Sequence, residues 1–358
     1  MSKFYPLCVA KIKNETRDTI AVTFDIPPEL ADSFAYLQGQ HLTLRTMIDN
    51  EDVRRSYSIC SAVQDNALRV AIKRTPGGLF SSWANDTLKP GMTLDVMPPM
   101  GHFNVPLDAA SARRYVAFAA GSGITPILSI IKTTLLAEPH SSFTLFYGNR
   151  ASSSVIFKDE LTDLKDVYME RLTLAYVMSR EQQDIELFNG RITKQKCEQF
   201  IKHWIRIEDI DVAFICGPED MMHGVSAALQ EAGMPKEHIK VELFAASIPK
   251  HQHKPRLFDA GATHETEVTV IMDGNATSFT MDKDKESILD AGLRAGIDMR
   301  YSCKGGVCST CRCKLLDGKV DMDANYALED YEVARGFVLS CQSFPVTDKV
   351  VIDFDQAE

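Results

Sequence analysis

The chain has 358 residues, 45% of them hydrophobic and 25% charged, enough to bury at least two sizeable cores, so disorder of the whole is excluded. Its apolar runs, such as residues 115–120 or 213–216, are far shorter than the ~20 residues that cross a bilayer, and residues 1–8 lack a secretory apolar stretch. A net charge of −10 argues against nucleic acid as a partner, and the expected location is the cytoplasm.

Residues 1–105 read as short β runs at 19–24, 41–45, 56–59, 68–73 and 93–97 between Gly and Pro signals, which predicts an antiparallel β-barrel or sandwich. From Arg114 the pattern alternates. β runs at 115–120, 143–147, 172–177 and 212–216 are interleaved with helical stretches at 126–136, 158–164, 193–203 and 219–232, as in an α/β parallel-sheet domain. Residues 241–244 read as a terminal strand. A polar stretch carrying His and Pro then predicts a linker. Beyond it come a hairpin around Asp273-Gly274-Asn275 and a helix over 287–295. The expected division is 1–108, 109–246, a linker at 247–264, and 265–358. The last segment carries 18 acidic against 10 basic residues, a net of −8, so most of the chain's charge sits there.

Nine cysteines in a chain without an export signal point to ligation rather than disulfides. Cys303, Cys308 and Cys311 stand as C-x4-C-x2-C, and Cys341 follows after 29 intervening residues, the spacing of plant-type 2Fe-2S ligation. The Gly-rich turn Lys304-Gly305-Gly306-Val307 can aim N–H groups at sulfur. Structural zinc also takes four thiolates, but normally from two close pairs. Cys8, Cys60, Cys197 and Cys313 are read as buried bystander thiols.

Arg55-Ser56-Tyr57-Ser58 places an Arg able to neutralise a phosphate at a β run, preceding Ile72 and Lys73 at the end of the next. Gly78-Leu79-Phe80-Ser81 combines flexible backbone, a hydroxyl and a helix start, which suits a pyrophosphate. Gly121-Ser122-Gly123-Ile124-Thr125-Pro126 is a Gly-rich strand-to-helix turn that brings backbone near phosphates, although it lacks the G-x-G-x-x-G spacing.

Residues 301–311, Tyr-Ser-Cys-Lys-Gly-Gly-Val-Cys-Ser-Thr-Cys, resemble the ligand loop of plant-type ferredoxins, which implies an α+β β-grasp ferredoxin domain over 265–358. The R-x-Y-S, G-x-x-S and G-x-G-x-T-P elements, with Tyr147-Gly148-Asn149-Arg150 and Cys216-Gly217-Pro218, resemble the ferredoxin–NADP reductase family in its order. That likeness implies FAD held by Arg55, Ser56, Tyr57, Ser58, Ile72, Lys73, Gly78, Leu79, Phe80 and Ser81. It implies a nicotinamide nucleotide at Gly121, Ser122, Gly123, Thr125, Pro126, Cys216, Gly217 and Pro218. Reaction geometry would rest on Tyr57, Ser58, Thr125, Cys216, Glu242 and Phe244. Arg150, Arg180 and Arg191 look like the basic residues that receive a 2′-phosphate, so NADPH is expected, with NADH the alternative.

Reductase first and ferredoxin last, the order resembles the single-chain reductases that feed oxygenases, among them the reductase subunits of phenylacetyl-CoA epoxidase complexes. The resemblance implies an oxidoreductase, monomeric on its own, carrying electrons from NADPH through FAD and a 2Fe-2S cluster to a di-iron oxygenase complex in phenylacetate degradation. Ketosteroid hydroxylases or hybrid-cluster proteins are alternative acceptors. A zinc-bearing nucleotide-binding adaptor is the alternative from another class.

Overall fold

A computed structural model describes residues 4–244 and 264–356, so the expected linker lies outside the described residues except for His264. The described residues form two compact units, one containing Tyr5–Val53 with Tyr57–Phe244, the other containing residues 264–356 with Phe4 and residues 54–56.

The first unit begins as a barrel: β1 (Tyr5–Thr16), β2 (Thr19–Asp25), β3 (His41–Ile48), β4 (Glu51–Ser58), β5 (Leu68–Lys73), α1 (Leu79–Thr87) and β6 (Thr93–Val96). Its strands run in the order β4-β3-β6-β1-β2-β5, and an antiparallel bridge between Ile59 and Val70 brings the two ends of that order together. Closure removes the exposed edges that an open sheet would present. The tight β3–β4 hairpin turns on Asp49 and Asn50, both at positive φ, the short polar residues that tolerate that conformation. Leu7, Val9, Val22, Leu42, Leu44, Val70, Ile72 and Val96 fill the interior without exposure, and Phe80 and Ala84 of α1 pack against them. Strand β1 was not expected from the sequence. Within it Leu7 and Val9 point inward, so Cys8 faces solvent. That corrects the expectation of a buried thiol; Cys60, Cys197 and Cys313 are buried as expected.

The same unit continues with β7 (Arg114–Ala120), α2 (Ile124–Ala137), β8 (Ser142–Asn149), α3 (Lys158–Val167), β9 (Leu172–Met178), α4 (Lys194–His203), β10 (Val212–Gly217), α5 (Glu219–Glu231) and β11 (Ile239–Leu243). All pairings are parallel in the order β11-β10-β7-β8-β9. Chain direction across the sheet reverses between β7 and β10, and ligands of such sheets bind at the strand C-termini where that reversal opens a crevice.

The second unit holds β12 (Glu265–Met272), β13 (Asn275–Asp282), α6 (Ile288–Arg294), β14 (Arg312–Asp317), β15 (Val320–Met322), α7 (Asp330–Ala334), β16 (Phe337–Leu339), β17 (Ser343–Pro345) and β18 (Lys349–Asp353). Its mixed sheet runs β13-β12-β18-β14-β16, with β12 and β18 parallel, and β15 pairs with β17 alone. Ser287 caps α6 by accepting from the Asp290 N–H at 3.2 Å, and Ile288, Leu289 and Ala291 bury against Val268, Val270, Val350 and Ile352. A helix laid on a mixed sheet in this way is the β-grasp arrangement that the ligand loop implied.

Candidate functional site

At the C-terminal end of β4, Arg55 is exposed, Ser56 and Tyr57 are half-buried and Ser58 is buried. Tyr57 lies 5.6 Å from Phe80, ring centroid to ring centroid, and Phe80 belongs to the first turn of α1. No side chain caps that turn, which leaves its N–H groups open to an anion. Gly78 precedes it. A Cβ there would stand 2.6 Å from Ser81 Oγ, which accepts from the Thr75 N–H at 3.1 Å. Leu79 is partly exposed beside it, and Ile72 is buried with Lys73 half-buried at the end of β5. Lys73 Nζ is 3.7 Å from where a Cβ on Gly121 would lie, so the barrel and the Gly-rich turn meet at this point.

That turn is held tightly. Tyr147, fully buried, donates from its hydroxyl to the Gly121 carbonyl at 3.0 Å, and Thr125 Oγ donates to the Ser122 carbonyl at 2.9 Å. Pro126 sits in the first turn of α2, where its missing N–H costs nothing. A Cβ on Gly123 would stand 2.0 Å from the Cys216 carbonyl oxygen, so only glycine lets the turn of β7 close on the end of β10. Gly123→Ala is expected to cost about 3 kcal/mol by overpacking. That loss lowers the melting temperature by about 6–12 °C in thermal unfolding; an unchanged transition would contradict this close approach.

Cys216 is buried, and burial with the neighbouring Glu242 charge pushes its thiol well up. It is in register with Glu242 across the β10–β11 pairing, and Gly217 and Pro218 lead from it into α5. Glu242 accepts from Ser58 Oγ at 3.1 Å. Burial pushes its carboxyl up to about 8, against the opposing pull of the Ser58 bond. Phe244, just after β11, is partly buried against the core of the parallel sheet. Tyr57, Ser58, Thr125, Cys216, Glu242 and Phe244 all belong to this one unit, drawn from both the barrel and the sheet.

Along the far strands, the Arg180 N–H donates to the Arg150 carbonyl at 2.8 Å, setting the two side by side, and Arg191 follows the Met178–Asn189 bridge. All three are exposed, and among the described residues none has an acidic partner. Glu181, next to Arg180, is instead tied to Ser152 through that residue's N–H and hydroxyl.

In the second unit, the loop leading into β14 takes positive φ at Lys304, Gly306 and Ser309, wrapping the chain around Cys303, Cys308 and Cys311. Gly305 donates its N–H to Cys303 Sγ at 3.3 Å. The Gln342 amide fastens the loop to the fourth cysteine by donating to the Lys304 carbonyl at 2.9 Å and the Cys341 carbonyl at 3.0 Å. The thiols stand in two pairs, Cys303 with Cys308 and Cys311 with Cys341. Their mutual proximity and burial push Cys303 and Cys311 well above the ordinary thiol range. Four thiols this close, three of them buried and Cys303 half-buried, want cationic charge between them as thiolates. Among the described residues no His, Cys, Asp or Glu group of three or more converges on a single ion. Thiols paired as Cys303 with Cys308 and Cys311 with Cys341 fit the two irons of a 2Fe-2S cluster, one pair to each iron. Cys313, on β14, is buried with its thiol toward the Val338 carbonyl, and burial pushes it up.

Residues 6–105 match the oxidoreductase FAD-binding domain family, 118–227 the oxidoreductase NAD-binding domain family, and 270–346 the 2Fe-2S iron-sulfur cluster binding domain family. One of the subunits of 1,2-phenylacetyl-CoA epoxidase from Escherichia coli strain K12 is 46% identical over 355 residues, 99% of either chain. The chain belongs to the ferredoxin–NADP reductase family. It is a flavin and iron–sulfur oxidoreductase, with FAD, NAD(P)H and a 2Fe-2S cluster as its cofactors. This reductase is also 36% identical to the ferredoxin reductase component of 3-ketosteroid-9-alpha-monooxygenase from Rhodococcus rhodochrous, across 97% of the chain and 96% of that protein. Phthalate dioxygenase reductase shares its fold at a TM-score of 0.59 and 24% identity, with 98% of both chains covered. No helix among the described residues is long and apolar enough to cross a membrane.

Two groups of the reductase escaped the sequence reading. The Asn149 amide nitrogen and the Tyr176 hydroxyl are buried without a hydrogen-bond partner among the described residues, on neighbouring strands beside Tyr147. Their motif context singled out Asn149 only as part of a family element, and nothing local marks Tyr176.

Proposed function

We propose that this reductase takes hydride from NADPH and delivers single electrons to the di-iron oxygenase of a phenylacetyl-CoA epoxidase system. The observation that carries the reading is the 46% identity, over 99% of both chains, to the Escherichia coli epoxidase component. The 36% identity to a ketosteroid monooxygenase reductase component supports the second reading, the same chemistry with another oxygenase. When bound, FAD accepts the hydride pair and the 2Fe-2S cluster carries electrons onward one at a time.

The positions of the chain's residues support the following roles. Arg55 neutralises a flavin phosphate. Gly78, Leu79, Phe80 and Ser81 offer the open N-terminus of α1 to the pyrophosphate, with Ser56, Ile72 and Lys73 along its path. Tyr57 packs on the flavin ring from the barrel side and Phe244 approaches from the sheet side. Gly121, Ser122, Gly123, Thr125 and Pro126, opposite Cys216, Gly217 and Pro218, form the crevice for the nicotinamide half. Below pH about 8 Glu242 holds a proton at the carboxyl bonded to Ser58 Oγ, a neutral pair that keeps negative charge away from an incoming hydride. Cys303, Cys308, Cys311 and Cys341 hold the cluster. Domain limits at 1–108, 109–246 and 265–358, a monomeric state and a cytoplasmic location complete the reading; nine free cysteines suit that reducing compartment.

Arg150, Arg180 and Arg191 receive the 2′-phosphate of NADPH. Arg180→Ala removes one charged hydrogen-bond donor, about 1.5–3 kcal/mol, and is expected to raise the KM for NADPH roughly 10–100-fold while leaving that for NADH within twofold. Steady-state kinetics with both nucleotides measures this, and equal effects on the two would overturn the assignment. The acceptor is tested by adding the reductase and NADPH to a phenylacetyl-CoA epoxidase oxygenase and following substrate loss. Turnover equal to that with a ketosteroid oxygenase would favour the second reading.

A further inference from the structure

The barrel and the parallel sheet of the first unit are joined by a chain of charges that the chemistry above does not use. Arg69 on β5 donates to both carboxylate oxygens of Glu160 on α3, at 2.8 and 2.9 Å. Lys132 on α2 reaches the same carboxylate at 2.8 Å and Asp65 of the barrel at 2.5 Å. The four side chains are between 14 and 29% exposed. Two bonds flank them: Ser129 Oγ donates to the Ser61 carbonyl at 2.7 Å, and the Val63 N–H donates to Thr133 Oγ at 3.2 Å. Arg69 also covers the ring of Phe157, a fully buried residue at φ 59° that starts α3. A bulky side chain in that left-handed region persists only where its surroundings fix it.

Largely buried ion networks add little net stability, because desolvation offsets most of the attraction. Alternating charges from two lobes do select one arrangement, since any other register leaves a buried charge unpaired. The elements involved are those that carry the reaction site. Lys132 stands seven residues beyond Thr125 on α2, about 10 Å along the helix. Arg69 stands four residues before Lys73 on β5, about 13 Å along the strand. Helix and strand are stiff, so a tilt of roughly 10° at the network shifts the Gly-rich turn by about 2 Å relative to the barrel. A misplacement of ~1 Å between reacting groups can cost ~100-fold in rate.

We propose that Arg69 and Glu160 are positioning residues for hydride transfer, a clamp that fixes the angle between flavin and nicotinamide lobes without touching either cofactor. The inference rests on the flavin–nicotinamide reading, which wild-type flavin reduction by NADPH checks separately. The FAD-loaded wild type, Arg69→Met, Glu160→Gln and the charge-retaining Arg69→Lys are compared by anaerobic stopped-flow, with NADP+ affinity taken from difference spectra. Arg69→Met and Glu160→Gln are expected to slow flavin bleaching at saturating NADPH at least tenfold. Their NADP+ affinity stays within twofold and their FAD content is unchanged; Arg69→Lys stays within threefold of wild type. Bleaching at the wild-type rate in both neutral variants overturns the proposal, as does a loss that tracks nucleotide affinity or FAD content, or that Arg69→Lys shares in full. Should Arg69→Met not fold, Lys132→Met cuts one arm of the network and must reproduce the same split at smaller size.

Discussion

Cys308→Ala is expected to separate the two halves of the reaction. Flavin bleaching by NADPH should proceed within about twofold of the wild type, because the residues proposed for the hydride site all lie in the first unit and none belongs to the thiol loop. Reduction of the partner oxygenase should fall at least ~100-fold, since a 2Fe-2S cluster holds each iron by two protein thiolates and removing one leaves its pair incomplete. Iron content and the charge-transfer absorbance of the cluster fall in parallel, while FAD content does not. A variant that keeps iron and passes electrons at the native rate would show that Cys308 is no ligand, and that the pairing with Cys303 has another purpose. Cys313→Ala gives the internal comparison. Its thiol faces the Val338 carbonyl on β14, so that variant is expected to keep both iron and turnover.

The thiol loop could be found in the sequence because its pattern is local: three cysteines fall within nine residues, at a spacing that fits one zinc poorly. The parallel sheet was legible for a similar reason. Alternation of apolar strands with helices constrains topology. Strand β1 was hidden because its second half, Lys11 to Thr16, turns mostly polar side chains outward and gives no apolar run to read. The three-residue strands β15, β16 and β17 are too short to carry a period. Sites assembled from distant segments fared in between. Ser58 and Glu242 were each marked by family elements, but their hydrogen bond joins residues 184 positions apart, and only the fold puts them together. The clamp of Asp65, Arg69, Lys132 and Glu160 had no signal at all. Charged residues on strand and helix surfaces are ordinarily solvated, and pairing across two lobes leaves no trace in local pattern.

Replacing Glu242 with Gln is expected to change how the protein's stability depends on pH. Burial raises the folded-state value of this carboxyl from about 4.5 to about 8, so the folded protein holds a proton there that the unfolded chain releases near 4.5. A raised value stabilises the fold fully below the unfolded value, and the contribution is lost as pH climbs from about 4.5 through about 8. The full difference corresponds to roughly 5 kcal/mol, and partial solvent access to the side chain brings this to about 3. About two-thirds of that, roughly 2 kcal/mol, is lost between pH 5.5 and 9, so thermal unfolding of the wild type should fall by about 4–8 °C more over that range than that of Glu242→Gln, which has no proton to lose. Ser58 Oγ keeps an acceptor in the Gln amide oxygen, so the hydroxyl is not orphaned by the substitution. Parallel pH profiles for the two proteins would mean that Glu242 is ionised in the folded state at neutral pH. A fixed negative charge would then stand beside the hydride path, and the neutral Ser58–Glu242 pair would have to be abandoned.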